Sequence, residues 1–317
     1  MDFDYIGVIA IVGDEGSCKT TMALSFPKPM FHFELDMDGF RRAAWRFMQE
    51  NPDMKIKQLG RDDDVTKIDI AQYDIVTKPY PKPLQVDKLK GALTGNAPSV
   101  RKFQQPKRVE GMKELWQTIV TDFVYVGQQN IATIVFDSAT KLWNIAHNAR
   151  LQELQDIQEY KWKKDPATKN VPMPEDEYRE RLQPIEYAQP NDRMTTLMDT
   201  GKSFRKNLIL THYPTDEYGM VPDGKGGLTE GKTGNLVIDG FKHTKKECSL
   251  IVWTRVKENS VVGADGKTKV VRQPVAKITK CGIEGMGLDA VGMEITASFD
   301  GIVSLRNLIT GVQNGGE

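Results

Sequence analysis

Residues 13–20 read GDEGSCKT, an octet that joins two glycines to a lysine and a hydroxyl. It is a variant of the pattern GxxxxGK[ST], with Cys18 where the second glycine usually stands. Those residue types suit the cradling of a polyphosphate. A glycine-rich turn lets backbone amides face inward as an anion nest, and a helix that starts there adds partial positive charge. The candidate contacts are Gly13, Asp14, Glu15, Gly16, Ser17, Cys18, Lys19, Thr20 and Thr21, with Lys19 reaching terminal phosphates and the Thr20 hydroxyl ligating magnesium. Cys18 puts a Cβ where the backbone normally comes closest to phosphate, which weakens the match. The alternative is an ordinary strand-to-helix turn.

Phosphate-bond hydrolysis also needs a carboxylate near magnesium and another that activates water. Asp137 closes the apolar run 131–136 (IATIVF) and has the setting of the first; the competing role is capping of the next helix at Ser138. For the base, Glu34 and Asp36 share a face by strand alternation, with Asp38 just beyond. Asp36 is preferred, against a solvated acidic turn. Thr211 and His212 end the run NLILT and are sensor candidates, placed to touch both nucleotide and ligand. The four histidines, His32, His147, His212 and His243, are scattered and form no Ser/His/Asp or Cys/His set.

These residues need a frame. Residues 5–12 form an apolar run of strand length, 19–26 suits a helix stopped by Pro27 and Pro29, 30–35 reads as a strand and 40–50 as a helix. That order is the signature of a parallel sheet with crossover helices. Residues 51–110 read as an insertion holding a strand within 68–77 and mobile loops. Helical spacing returns over 112–126, followed by the strand 131–136, a helix over 140–163 that runs into a polar loop or lid, a helix over 192–206 and a strand at 207–211. After Tyr213 come glycine-rich turns and short strands at 247–254, 269–278 and 294–297. An Asp-Gly turn in 262–267 marks a hairpin. The domains expected are a core over 1–260 and a β-rich extension and tail over 261–317.

Composition bounds the remaining possibilities. At 317 residues the chain can bury a core without disulfide or metal staples. Cys18, Cys248 and Cys281 are odd in number and widely spaced, which fits a reducing, cytoplasmic setting. The start of the chain is acidic where a signal peptide would be basic, and mean hydropathy is negative, so neither export nor a membrane partner is expected. Lys plus Arg number 43, as do Asp plus Glu, so a nucleic-acid partner would need a local patch or an assembly. Basic clusters with interleaved aromatics lie at 102–108, 161–164 (Trp162) and 202–206 (Phe204), each also readable as a solvated face.

The segments GDEGSCKTTMALSFPKPMFHFELDMDG, TIVFDSATKLW and NLILTHY resemble those of phage-type RecA-like P-loop ATPases of the single-strand-annealing and recombination group. The resemblance covers about residues 4–50 and 110–260. It implies a RecA-like α/β fold, a mostly parallel sheet flanked by helices with a β-rich C-terminal extension. It also implies ATP and Mg2+, with Thr20 and Asp137 at the metal and Asp36 as the base. The expected activity is ATP hydrolysis coupled to assembly on single-stranded DNA in recombination, annealing or replication, in the host cytoplasm if the gene is phage-borne. In such homo-oligomeric rings or filaments a neighbour's basic residue completes the site; Lys242, Lys245 and Lys246 resemble that finger in position, and Arg255 is the alternative. Two other functions stay open: an ATPase that moves or remodels protein, and a nucleotide-binding scaffold that does not hydrolyse.

Overall fold

The structure, a computed structural model, describes residues 5–37, 39–83, 107–222, 224, 227–262, 268–283 and 287–296. Its first strand, β1 (Val8–Val12), is buried throughout. Alternation sends Val8, Ala10 and Val12 into one core and Ile9 and Ile11 into the other, as an unbroken apolar run in a sheet covered on both faces requires. Truncation of Ile9 or Ile11 to alanine would cost about 2–5 kcal/mol.

The chain continues through α1 (Lys19–Ala23), β2 (Met30–Glu34), α2 (Gly39–Glu50), β3 (Ile56–Gln58) and β4 (Ile75–Pro79). After α3 (Met112–Gln128) come β5 (Thr133–Asp137), α4 (Ala139–Lys164), α5 (Ala188–Ser203), β6 (Asn207–His212), β7 (Pro214–Pro222) and β8 (Leu228–Ile238). The last elements are α6 (Thr244–Glu247), β9 (Leu250–Val262), β10 (Thr268–Cys281) and β11 (Glu294–Thr296). Nine strands form one sheet in the order β11-β10-β9-β1-β6-β5-β2-β4-β3. From β9 to β3 every pairing is parallel, whereas β10 and β11 are antiparallel additions. Helices α3, α4 and α5 cover one face and α1 and α2 the other. The expected architecture, a mostly parallel sheet flanked by helices with an antiparallel C-terminal part, is the one observed.

Three local expectations differ. Residues 56–79, read as part of an insertion, extend the main sheet by two parallel strands, because Ile75 and Val76 bury their side chains beside β2. Within the alternating stretch 68–77, residues 70–72 form a 3-10 turn and only the end is strand. The glycine-rich segment after Tyr213 is a two-stranded hairpin, β7–β8, whose pairing spans Pro214↔Ile238 to Pro222↔Leu228. Residues 84–106 and 297–317 lie outside the described set, as do residues 263–267, within which the Asp-Gly turn was expected. Strand β9 itself crosses position 260 without a break.

Candidate functional site

β1 delivers the phosphate-loop octet at the C-terminal ends of the parallel strands. The Gly13 amide donates to the His212 carbonyl at 3.2 Å, which ties the loop's first residue to the end of β6. A side chain at Gly13 would stand 2.2 Å from Thr254 Oγ1 and 2.7 Å from the Thr254 carbonyl oxygen, so the position admits only hydrogen. Ser17 Oγ lies 2.8 Å from Thr254 Oγ1, and the Thr254 hydroxyl donates to the Val12 carbonyl at 3.2 Å, so β9 braces the loop from the other side. Gly16 has φ 78°, a conformation glycine adopts without penalty. Cys18 has φ 69° and ψ 25°, the left-handed region, at the N-cap of α1. That explains why glycine is usual there: a β-carbon in this conformation costs about 1–2 kcal/mol. No side chain caps α1, so its leading amides are left to a ligand or solvent.

Lys19 lies almost wholly buried under the loop. Its Nζ donates to the carbonyls of Gly13 at 2.6 Å and Asp14 at 2.7 Å and stands 4.3 Å from the centre of the Tyr213 ring. Burial lowers its pKa, opposed by the negative charges of Asp137, Asp14, Asp36 and Glu15. A phosphate group entering the loop would take over the donors now spent on those two carbonyls.

Asp137 is the hub of the site. Strand β6 lies between β1 and β5, so Thr211 reaches Asp137 from the neighbouring strand, and α1, which follows β1, brings Thr20 to the same carboxylate. Thr20 Oγ1 donates to Asp137 Oδ2 at 2.6 Å, and the Thr211 hydroxyl donates to Oδ1. His32 Nε2 stands 3.5 Å from Oδ2, and its Nδ1 lies 2.9 Å from Thr77 Oγ1. Burial pushes the Asp137 carboxyl up, but His32, then Thr20 and Thr211, outweigh it and hold the group below the usual aspartate range. The competing role for Asp137, capping of α4, falls instead to Ser138, whose Oγ accepts the Lys141 amide at 3.3 Å.

The hydroxyl of Thr20 and the anionic carboxylate of Asp137 are hard oxygen donors of the kind Mg2+ prefers. Among the described residues no three acidic, histidine or cysteine side chains cluster as a metal cage. An ion at Thr20 and Asp137 would therefore draw its remaining ligands from phosphate and water, as magnesium in nucleotide sites does.

Asp36 follows β2, where its amide and that of Leu35 both donate to the Asp137 carbonyl, at 2.9 and 2.6 Å. Lys141 Nζ contacts Asp36 Oδ1 at 2.5 Å, and the Tyr213 hydroxyl donates to Oδ2. Glu34, opposite Asp137 in the strand register, accepts the Phe40 amide at 3.2 Å instead; Asp38 lies outside the described residues. Burial and the Asp36 carboxylate raise the pKa of Tyr213, which keeps its phenol protonated and donating. Residues 15–21, Asp36, Asp137 and Tyr213 line a cavity of about 360 Å³.

The other candidates divide. Thr211 joins the site, but His212 turns away by alternation: its Nδ1 lies 3.1 Å from the Asp239 carbonyl, and burial pushes its pKa down to about 4. Arg255, on β9 just past Thr254, lies toward the phosphate-loop end of the sheet and pairs with Glu294. Lys245 and Lys246, on α6, precede β9 and stand at the opposite end, where their carbonyls accept from Lys280 Nζ; Lys242 is exposed just before them. Two aromatics of the basic clusters, Phe204 and Trp162, are engaged elsewhere. Phe204 packs edge-on against Phe123, with ring centres 5.7 Å apart, and Trp162 Nε1 donates to the Val171 carbonyl at 2.9 Å. Lys107 and Arg108 are paired with carboxylates, while 102–106 lie outside the described residues.

Sequence reasoning missed His32, Lys141, Tyr213 and Thr254. A histidine inside the apolar strand run MFHFEL was a usable signal, as was a lysine four residues past Asp137 on a helix. No family model matches the chain, and no curated protein matches it. Among solved structures it is similar to a KaiC-like protein from the hyperthermophilic archaeon Pyrococcus horikoshii OT3, at 12% identity and a TM-score of 0.34, over 87% of this chain and 80% of that one. Among the described residues no helix is long and apolar enough to cross a membrane.

Proposed function

We propose that the chain binds and hydrolyses ATP with Mg2+ at the cavity between the phosphate loop and β5. The observation that carries this reading is the convergence of Lys19, Thr20 and Asp137, from two distant segments, at the C-terminal ends of two parallel strands with only β6 between them. Lys19 would balance charge on the terminal phosphates, and Thr20 and Asp137 would hold Mg2+, which neutralises charge on the phosphate oxygens when bound. Asp36 would orient water and accept its proton, with Lys141 and Tyr213 fixing the carboxylate.

The reading extends to single-stranded DNA as the polymer acted on and to a ring or filament of copies. Its support is the sequence resemblance together with hairpin β7–β8, which leaves the sheet right after β6 at the end that carries the phosphate loop. There Tyr218 is 64% exposed, a side chain suited to stacking on bases. The test is ATP turnover with and without single-stranded DNA across a salt series. Stimulation that falls steeply with salt supports the DNA partner; turnover indifferent to DNA removes it and favours a protein substrate. No phosphate release at all would leave a non-hydrolysing nucleotide-binding scaffold.

A further inference from the structure

Helix α2 buries Phe40, Ala43 and Ala44 against the sheet and α1, and turns Trp45 outward, 66% exposed. A lone exposed tryptophan needs no explanation by itself. This one lines the same cavity as the phosphate loop, together with Arg42 and Ala43 of its own helix. Arg42 Nη1 stands 3.3 Å from Glu15 Oε1, so the rim of the cavity is tied to the apex of the loop by an exposed ion pair. The cavity thus runs from phosphate-binding chemistry at Lys19 and Thr20, past Cys18 and Thr21, to an indole face at its edge.

We infer that Trp45 is the stacking platform for the nucleobase of the bound nucleoside triphosphate, an inference that rests on the phosphate-site reading above. A nucleotide has one strongly anionic end and one flat aromatic end, and the cavity offers a partner for each. Indole is the aromatic side chain with the largest face, and stacking on it tolerates any base. Trp45 then sets affinity for nucleotides over simple polyphosphates, whereas the phosphate loop sets affinity for the phosphate chain itself. The competing occupant, a second copy of this chain seated on Trp45, would not distinguish ligands with and without a base.

Calorimetric titration of the full chain with MgATP and with magnesium tripolyphosphate tests this. Trp45→Ala should weaken ATP binding roughly 5- to 100-fold and leave tripolyphosphate binding unchanged, which also shows that the variant is folded. Trp45→Phe should retain most of the ATP affinity. Unchanged ATP affinity in Trp45→Ala, or equal losses for both ligands, would overturn the assignment. If the wild-type protein binds neither ligand in a Lys19-dependent way, the phosphate-site reading fails and takes this inference with it.

Discussion

Thr20 and Asp137, 117 residues apart in sequence, are joined by a 2.6 Å hydrogen bond from the threonine hydroxyl to the carboxylate. The bond exists because β1 and β5 run parallel with only β6 between them, so the helix after one strand and the last residue of the other meet at the same height. It links the loop that would hold phosphate to the carboxylate that would hold the metal.

Removing that carboxylate should be costly in two ways. Asp137→Ala leaves the Thr20 and Thr211 hydroxyls and His32 facing a buried gap, which should lower unfolding free energy by about 2–4 kcal/mol in a urea titration. Asp137→Asn keeps most of the shape and should stay closer to wild-type stability, yet lose magnesium-dependent turnover by roughly 100-fold or more. Equal turnover in Asp137→Asn and wild type would remove Asp137 from the metal site.

Asp36 is assigned a separate job. Asp36→Asn should cut turnover by roughly 10²- to 10⁴-fold, the range for loss of a general base, while ATP binding measured by calorimetry stays within about threefold of wild type. A large loss of binding with turnover preserved at saturation would point to a contact with substrate rather than with the attacking water.

Two loop substitutions should act in opposite directions. Cys18→Gly relieves a left-handed backbone conformation and should stabilise the fold by up to about 1 kcal/mol, since greater freedom of the unfolded chain offsets part of the gain. Gly13→Ala drives a β-carbon into the Thr254 hydroxyl and carbonyl and should destabilise by about 2 kcal/mol or more. Thermal melts of the pair decide it; a lower midpoint for Cys18→Gly contradicts the strain assigned to that position.

His212 supplies a pH signature. Burial depresses its pKa from 6.5 to about 4, so the unfolded chain binds the proton more tightly than the folded one between those values. Stability from this group is therefore fully present above about pH 6.5 and is lost as pH falls toward 4. Between pH 7 and pH 5 the loss should be about 2 kcal/mol. Urea midpoints should fall over that interval more in wild type than in His212→Asn; parallel curves would show that His212 is not the group responsible.

The parts of the fold legible in sequence were those where burial on both faces imposes a continuous apolar run. Val8–Val12, Met30–Glu34, Thr133–Asp137 and Asn207–His212 are such strands, and the site residues at their ends, Gly13, Asp36, Asp137 and Thr211, follow from position. Strand β8 was not legible, because Leu228–Ile238 is largely exposed and lacks an alternating pattern. The edge strand β3 and its neighbour β4 were obscured by the turns between them, which carry the same mixture of apolar and acidic residues. Lys141, Tyr213 and Thr254 become site residues only through strand order, which brings the ends of β5, β6 and β9 around the phosphate loop. His32 is hidden for another reason: a polar side chain in a buried strand shows its purpose only when its partner, Asp137 on the neighbouring strand, is known.

The central claim is that Lys19 serves a nucleotide, and the most direct measurement is ATP turnover by Lys19→Ala beside wild type, with circular dichroism and a thermal melt on both. Wild-type protein should release phosphate in a magnesium-dependent reaction, and Lys19→Ala should fall to background while its spectrum and cooperative melt are retained. Turnover by a folded Lys19→Ala protein equal to that of wild type would contradict the account.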